Sequence, residues 1–141
     1  MKNKVTTTWK GNMQFESTNQ GGNLMIDASP DDGGEGKGYR PKSLMLSALA
    51  GCSGLDIVPL LKKMRAEVEN IEIDITAELT DELPKYYNNV HVVYKFYGMN
   101  FKKGKIEKAV DLSVNKYCGV MEMFRQFANV TTEIIYIEKP L

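Results

Sequence analysis

Hydrophobic and polar residues alternate with a period of two in some stretches of this chain and recur at helical spacing in others. The clearest alternation covers residues 70–79, where Ile71, Ile73, Ile75, Ala77 and Leu79 interleave with Glu72, Asp74, Thr76 and Glu78. Such a strand turns one face to a core and the other to water, as in an antiparallel sheet. After a turn over 81–89, Val90, Val92, Tyr94 and Phe96 alternate with His91, Val93, Lys95 and Tyr97 to form its partner. Shorter strands are predicted at 5–9, 13–17 and 24–27, separated by the Gly- and Asn-rich segments that hairpins use. A last strand covers 131–138.

Helical spacing is predicted over 42–65, with Pro41 at the first position, where its missing N–H costs nothing. From Leu44 to Leu55 this helix is apolar on nearly every side, which predicts burial all round. Pro59 removes one backbone hydrogen bond and is expected to kink or divide it. A second helical period begins after Gly104 with Ile106, Ala109, Val110, Val114 and Tyr117, and resumes beyond Gly119 with Val120, Phe124 and Phe127. Between the short strands and the long helix, residues 29–38 hold four Gly, one Pro and alternating charges, which predicts a mobile surface loop. Three strands, a long helix, two strands, two helices and a strand make an α+β arrangement.

A length of 141 residues with 43% hydrophobic composition fits one domain, 1–141, able to bury a core without disulfides or metals. Lys plus Arg and Asp plus Glu both number 18, and no basic stripe interleaved with aromatics is visible, so no nucleic-acid partner is expected. No signal-peptide pattern opens the chain and no run approaches a membrane span, so the expectation is a soluble, cytoplasmic protein with no membrane partner. The scattered methionines and the single Trp9 read as packing residues.

Chemistry concentrates on Cys52 and Cys118, two isolated thiols 66 positions apart. In a reducing compartment such cysteines are inert core residues, a redox pair or metal ligands. Gly51 and Gly54 flank Cys52 and are unfavourable in a helix interior, so they call for a close backbone neighbour or room beside the sulfur. An attacking thiol needs a nearby cation. Arg40 and Lys42 precede the Cys52 helix, but Cys52 lies about 15 Å along its axis. Asp56, one turn beyond Cys52, faces the same side and opposes ionisation there. Lys116 points away from Cys118 on an ideal helix. His91 is the only histidine; with the two cysteines it lacks the short spacings of structural zinc sites, and no metal or cofactor is expected.

Several segments resemble the OsmC family, the osmotically inducible and organic hydroperoxide resistance proteins. They are Trp9-Lys10-Gly11, the run from Arg40-Pro41-Lys42-Ser43 through Ala50-Gly51-Cys52, and the run Ala109-Val110-Asp111-Leu112-Ser113 through Lys116-Tyr117-Cys118. The resemblance covers essentially the whole chain and is strongest to the branch with Gly-Cys-Ser before an Asp. It implies a single OsmC-like domain, with antiparallel sheets packed around a long central helix, assembled as an intertwined homodimer with its thiols near the interface. It further implies that Cys52 attacks an organic hydroperoxide and becomes a sulfenic acid, that Cys118 resolves it as a disulfide, and that an external dithiol reduces the pair. Arg40 would be the activating cation. The family's peroxidases carry a carboxylate just after the Pro that opens the Cys helix, where this chain has Lys42 and Ser43. Glu35 is the candidate replacement. They also commonly have Pro where Gly119 stands. The alternative is a non-catalytic protein of this fold that holds a small lipophilic or thiol-bearing ligand near Cys52.

Overall fold

The protein is described by a computed structural model over residues 1–139, and it divides into two units, 1–45 and 46 onward. In the first unit, strands β1 (Thr6–Gly11), β2 (Gln14–Asn19) and β3 (Gly22–Ile26) form an antiparallel meander in the order β1-β2-β3. Asn12 and Gly21 take positive φ in its two tight turns, the conformation for which Asn and Gly are suited. Trp9, expected as a packing residue, is 64% exposed, and its Nε1–H donates to the Asn12 carbonyl.

The segment expected to be a mobile loop is instead ordered from within. It contains a single 3-10 turn, Pro30–Asp32, and wraps the buried carboxylate of Asp27, which accepts from the backbone N–H groups of Ala28, Glu35 and Lys37 at 2.8, 3.2 and 3.1 Å. Desolvation pushes the Asp27 carboxyl upward, but those backbone donors outweigh it and hold the group below its ordinary value. Gly34 is needed here because a Cβ would lie 2.0 Å from the Ala28 carbonyl oxygen.

Helix α1 (Pro41–Lys63) begins at the predicted proline and runs through Pro59 undivided. Its burial differs from expectation. Only Leu49, Ser53, Ile57 and Leu61 are buried, a single stripe at four-residue spacing, while Leu55 and Val58 on the other side are 79% and 56% exposed. The helix is apolar all round because its second face is also apolar, and that face is left exposed at Leu55 and Val58 among the described residues. By length and composition α1 also suffices to cross a membrane, contrary to the expectation that no run does, although core helices of soluble proteins share that property.

In the second unit, β4 (Asn70–Leu79) pairs antiparallel with β5 (Tyr87–Gly98), placing Ile73 opposite Tyr94 and Ile75 opposite Val92. Strand β6 (Asn129–Glu138) completes a sheet of order β4-β5-β6 but pairs parallel to β5. The expectation of wholly antiparallel sheets fails at this edge. A parallel neighbour requires a crossover, and α2 (Lys103–Leu112) and α3 (Gly119–Arg125) supply it. The core of this unit joins the α1 stripe to Val90, Val92, Tyr94 and Phe96 of β5, Ile106, Ala109 and Val110 of α2, and Met121 and Phe124 of α3. Of the methionines read as core fillers, Met121 is fully buried, whereas Met13, Met45, Met99 and Met123 are exposed.

Candidate functional site

Cys52 and Cys118 come together within one chain, their thiols joined by a hydrogen bond, in surroundings that differ from each other. Cys52 sits in regular helix, half-buried, one residue ahead of the buried stripe position Ser53. Cys118 does not continue a helix. Beyond α2 the chain widens into a π-helical turn, Ser113–Tyr117, closed by the Cys118 N–H bonding back to the Ser113 carbonyl at 2.8 Å. Cys118 itself is extended and caps α3, its Sγ accepting the Met121 N–H at 3.3 Å. Such π-turns inside helices are frequent at functional sites.

Burial is the main cause of the state of Cys118, which is 3% exposed. Desolvation lifts its thiol to about 11; the Met121 N–H works against this, while the hydrogen bond to Cys52 and the Asp56 carboxylate push the same way as burial. Cys118 therefore keeps its proton at neutral pH and donates it to the Cys52 sulfur. The pair is asymmetric: a half-buried acceptor sulfur rests against a buried donor thiol.

Beneath the thiols lies a chain of hydroxyls that the sequence pattern did not reveal. Tyr94 Oη and Ser53 Oγ are 2.7 Å apart, Ser53 Oγ and Ser113 Oγ 2.8 Å, and Ser113 Oγ lies 3.1 Å from Asp56 Oδ2. The Asp56 carboxylate accepts from Ser113. With the Ser113 proton directed to Asp56 or to the Ser53 carbonyl 3.3 Å away, Ser53 is left to donate to Ser113 and Tyr94 to Ser53. Ser53, Tyr94 and Ser113 are all buried. Burial raises the Tyr94 phenol above its ordinary value against the bond to Ser53, and Cys118, once ionised at high pH, and Asp56 add to the rise. One signal was available in the sequence. Ser53 stands in line with Leu49, Ile57 and Leu61, and Ser113 follows Ile106, Ala109 and Val110, so each is a polar residue on an apolar stripe.

Arg40 lies in the N-terminal unit, where its Nη1 donates to the Gly38 carbonyl at 2.6 Å. Glu35, the candidate replacement carboxylate, accepts from Asn12 and Gln14 and pairs with Lys37 at 2.9 Å. Arg40 and Glu35 are not hydrogen-bonded to each other among the described residues. His91 bonds Thr131 through Nδ1 at 2.7 Å and Glu133 through Nε2 at 3.1 Å. Lys116 is exposed and lies over the Tyr117 ring. Among the described residues no group of three or more His, Cys, Asp or Glu is placed to hold a metal ion.

The glycines beside Cys52 have different environments. A Cβ on Gly54 would meet the Ile73 Cδ1 at 3.4 Å, and a Cβ on Gly51 would meet nothing within 4 Å. Close backbone approach within the chain therefore explains neither.

Comparison with known proteins places this geometry. Residues 34–133 match the model of a family described as OsmC-like protein. The chain is 30% identical over 124 residues to Protein YhfA of Escherichia coli K12, covering 87% of this chain and 90% of the relative. A solved structure described as a hypothetical protein from Aquifex aeolicus VF5 superposes with a TM-score of 0.87 at 28% identity, covering 99% of both chains. The organic hydroperoxide resistance protein OhrB of Bacillus subtilis shares the fold at 20% identity, with a TM-score of 0.66 over 95% of this chain and 98% of that one.

Proposed function

The chain belongs to the OsmC-like protein family, and on that footing we propose that it reduces organic hydroperoxides with Cys52 as the attacking thiol and Cys118 as the resolving one. The observation that carries the reading is the hydrogen bond from a buried, protonated Cys118 to a half-buried Cys52. Cys52 attacks the peroxide oxygen; the O–O bond breaks, the alkoxide leaves as the alcohol, and Cys52 becomes a sulfenic acid. Cys118 then attacks the Cys52 sulfur. The S–S bond forms, the S–O bond breaks, and the departing hydroxide takes the Cys118 proton as water. An external dithiol restores both thiols by exchange. Organic hydroperoxide resistance is the description carried by OhrB of Bacillus subtilis, and the apolar surroundings of the pair favour an organic peroxide over hydrogen peroxide.

Arg40 is the cation assigned to activate Cys52. The whole chain is read as one OsmC-like domain, and it works as a homodimer in which a second copy covers the open face of α1, where Leu55, Val58 and Gly51 are left uncovered. That cover, rather than lipid, accounts for an apolar helix with one bare side, and the protein is cytoplasmic, where two free thiols stay reduced. The test is stopped-flow consumption of cumene hydroperoxide and of hydrogen peroxide by the reduced protein, with free thiols counted before and after. Fast loss of both thiols with preference for the organic peroxide is expected. Slow and unselective oxidation would instead favour the non-catalytic reading, a ligand held beside Cys52, for which the Lys42 and Ser43 that stand in place of the family carboxylate speak.

A further inference from the structure

Ser113 touches both cysteine-bearing segments at once. Its carbonyl holds the Cys118 N–H at 2.8 Å, and its hydroxyl lies 2.8 Å from Ser53 Oγ, 3.3 Å from the Ser53 carbonyl and 3.1 Å from Asp56 Oδ2, all three on the turn of α1 that begins at Cys52. Apart from the reacting thiol Cys118 itself, the other residues named at this site do not join the two segments in this way. The π-turn allows this. It sets the Ser113 side chain into the buried stripe while its carbonyl reaches five residues ahead instead of four.

We propose that Ser113 is the positioning residue of the thiol pair: its bonds to Ser53 and Asp56 fix the register between α1 and the π-turn and so keep Cys118 within reach of Cys52 for disulfide formation. The purpose of the clamp rests on the two-cysteine reading above, but its geometry does not. In the resolving step the two sulfurs must pass from hydrogen-bond contact to a covalent bond, and the probability of that approach is the effective concentration of one thiol at the other. The one Ser113 hydroxyl proton has two acceptors, Asp56 Oδ2 and the Ser53 carbonyl, and both lie on the same turn of α1, so either bond holds the π-turn to that turn. Tyr94 steadies Ser53 from β5 and bonds to neither cysteine segment beyond it.

The experiment equilibrates the intact protein with mixtures of reduced and oxidised glutathione and reads the Cys52–Cys118 disulfide by mass, which yields the effective concentration of the pair without any peroxide. Ser113→Ala, which removes the bonds to both Ser53 and Asp56, is expected to lower it about tenfold or more, and Ser53→Ala, which leaves the bond to Asp56, about fivefold, the scale of one lost hydrogen bond. The double variant is expected to fall no further than Ser113→Ala, because the bond lost in Ser53→Ala is already lost there. Tyr94→Phe, which leaves that bond in place, stays within about threefold by the same accounting. Wild-type effective concentration in either folded single variant overturns the proposal, and so do additive losses in the double variant or an equal loss in Tyr94→Phe. If Ser113→Ala does not fold, Ser53→Ala and Tyr94→Phe decide the matter between them. A protein that consumes no peroxide yet shows a high effective concentration lost on Ser113→Ala retains the clamp and refutes only the peroxidase reading.

Discussion

Cys52 and Cys118 share a hydrogen bond and little else. Cys52 stands in an unbroken helix with its sulfur half open, whereas Cys118 stands where a helix has been widened, broken and capped, with its sulfur buried against the Met121 N–H. Because desolvation, the Cys52 bond and the Asp56 charge all hold the proton on Cys118, the surroundings have divided two chemically identical groups into one half-open to solvent and one buried with its proton held. Reactivity here is a property of position rather than of residue type.

The strongest way to break the comparison is to remove each sulfur in turn. Cys52→Ser is expected to lower peroxide consumption by at least about a thousandfold, while Cys118→Ser allows one turnover and leaves a sulfenic acid that dimedone traps. Equal steady-state rates for Cys52→Ser and the unmodified protein would end the assignment. A second measurement sharpens the asymmetry. Site-resolved alkylation of the native protein should modify Cys118 only as the pH nears 11, against an ordinary value of 9.0, and so about a hundredfold more slowly at neutral pH than an unshifted thiol. The sign for stability follows from the same shift. The folded value lies above the unfolded one, so the contribution is complete below 9.0 and is lost as the pH rises through about 11.

The two faces of α1 offer a smaller test. The Leu49, Ser53, Ile57 and Leu61 stripe meets the core, and the Leu55 and Val58 side is left largely exposed. Leu55→Glu is expected to weaken self-association by more than about tenfold, since an apolar side chain of this size contributes about 1.5–3 kcal/mol on burial. Sedimentation analysis of both proteins would show it, and an unchanged mass would mean that another surface joins the copies. The smallest effect is expected at Gly54→Ala. Its new Cβ would sit 3.4 Å from a flexible Ile73 methyl, so the variant should gain about 0.5–1 kcal/mol from helix propensity, measurable as a raised melting temperature.

The strands from β4 to β5 could be read directly because one face of each is polar and the period is two, and the predicted pairing of Ile73 and Ile75 with the following strand is the observed one. The long helix was legible in extent but not in burial. Apolarity on every side signals that each face avoids water, yet composition cannot say whether the partner is the same chain or another. The ordering of residues 29–38 was invisible, since Asp27 reads as one polar residue among many until its carboxylate is surrounded by three backbone donors.

By itself the sequence determined the α+β order of elements, the two isolated cysteines and the family, because hydrophobic period, turn chemistry and motif are local properties of neighbouring residues. The tertiary structure decided that the cysteines meet in one chain, that Cys118 keeps its proton, that β6 runs parallel to β5, and that Ser113, Ser53, Tyr94 and Asp56 form one directed chain. Each of these depends on distances between residues far apart in the chain. Burial, charge and hydrogen bonding act across space, and only the folded chain fixes which groups share it.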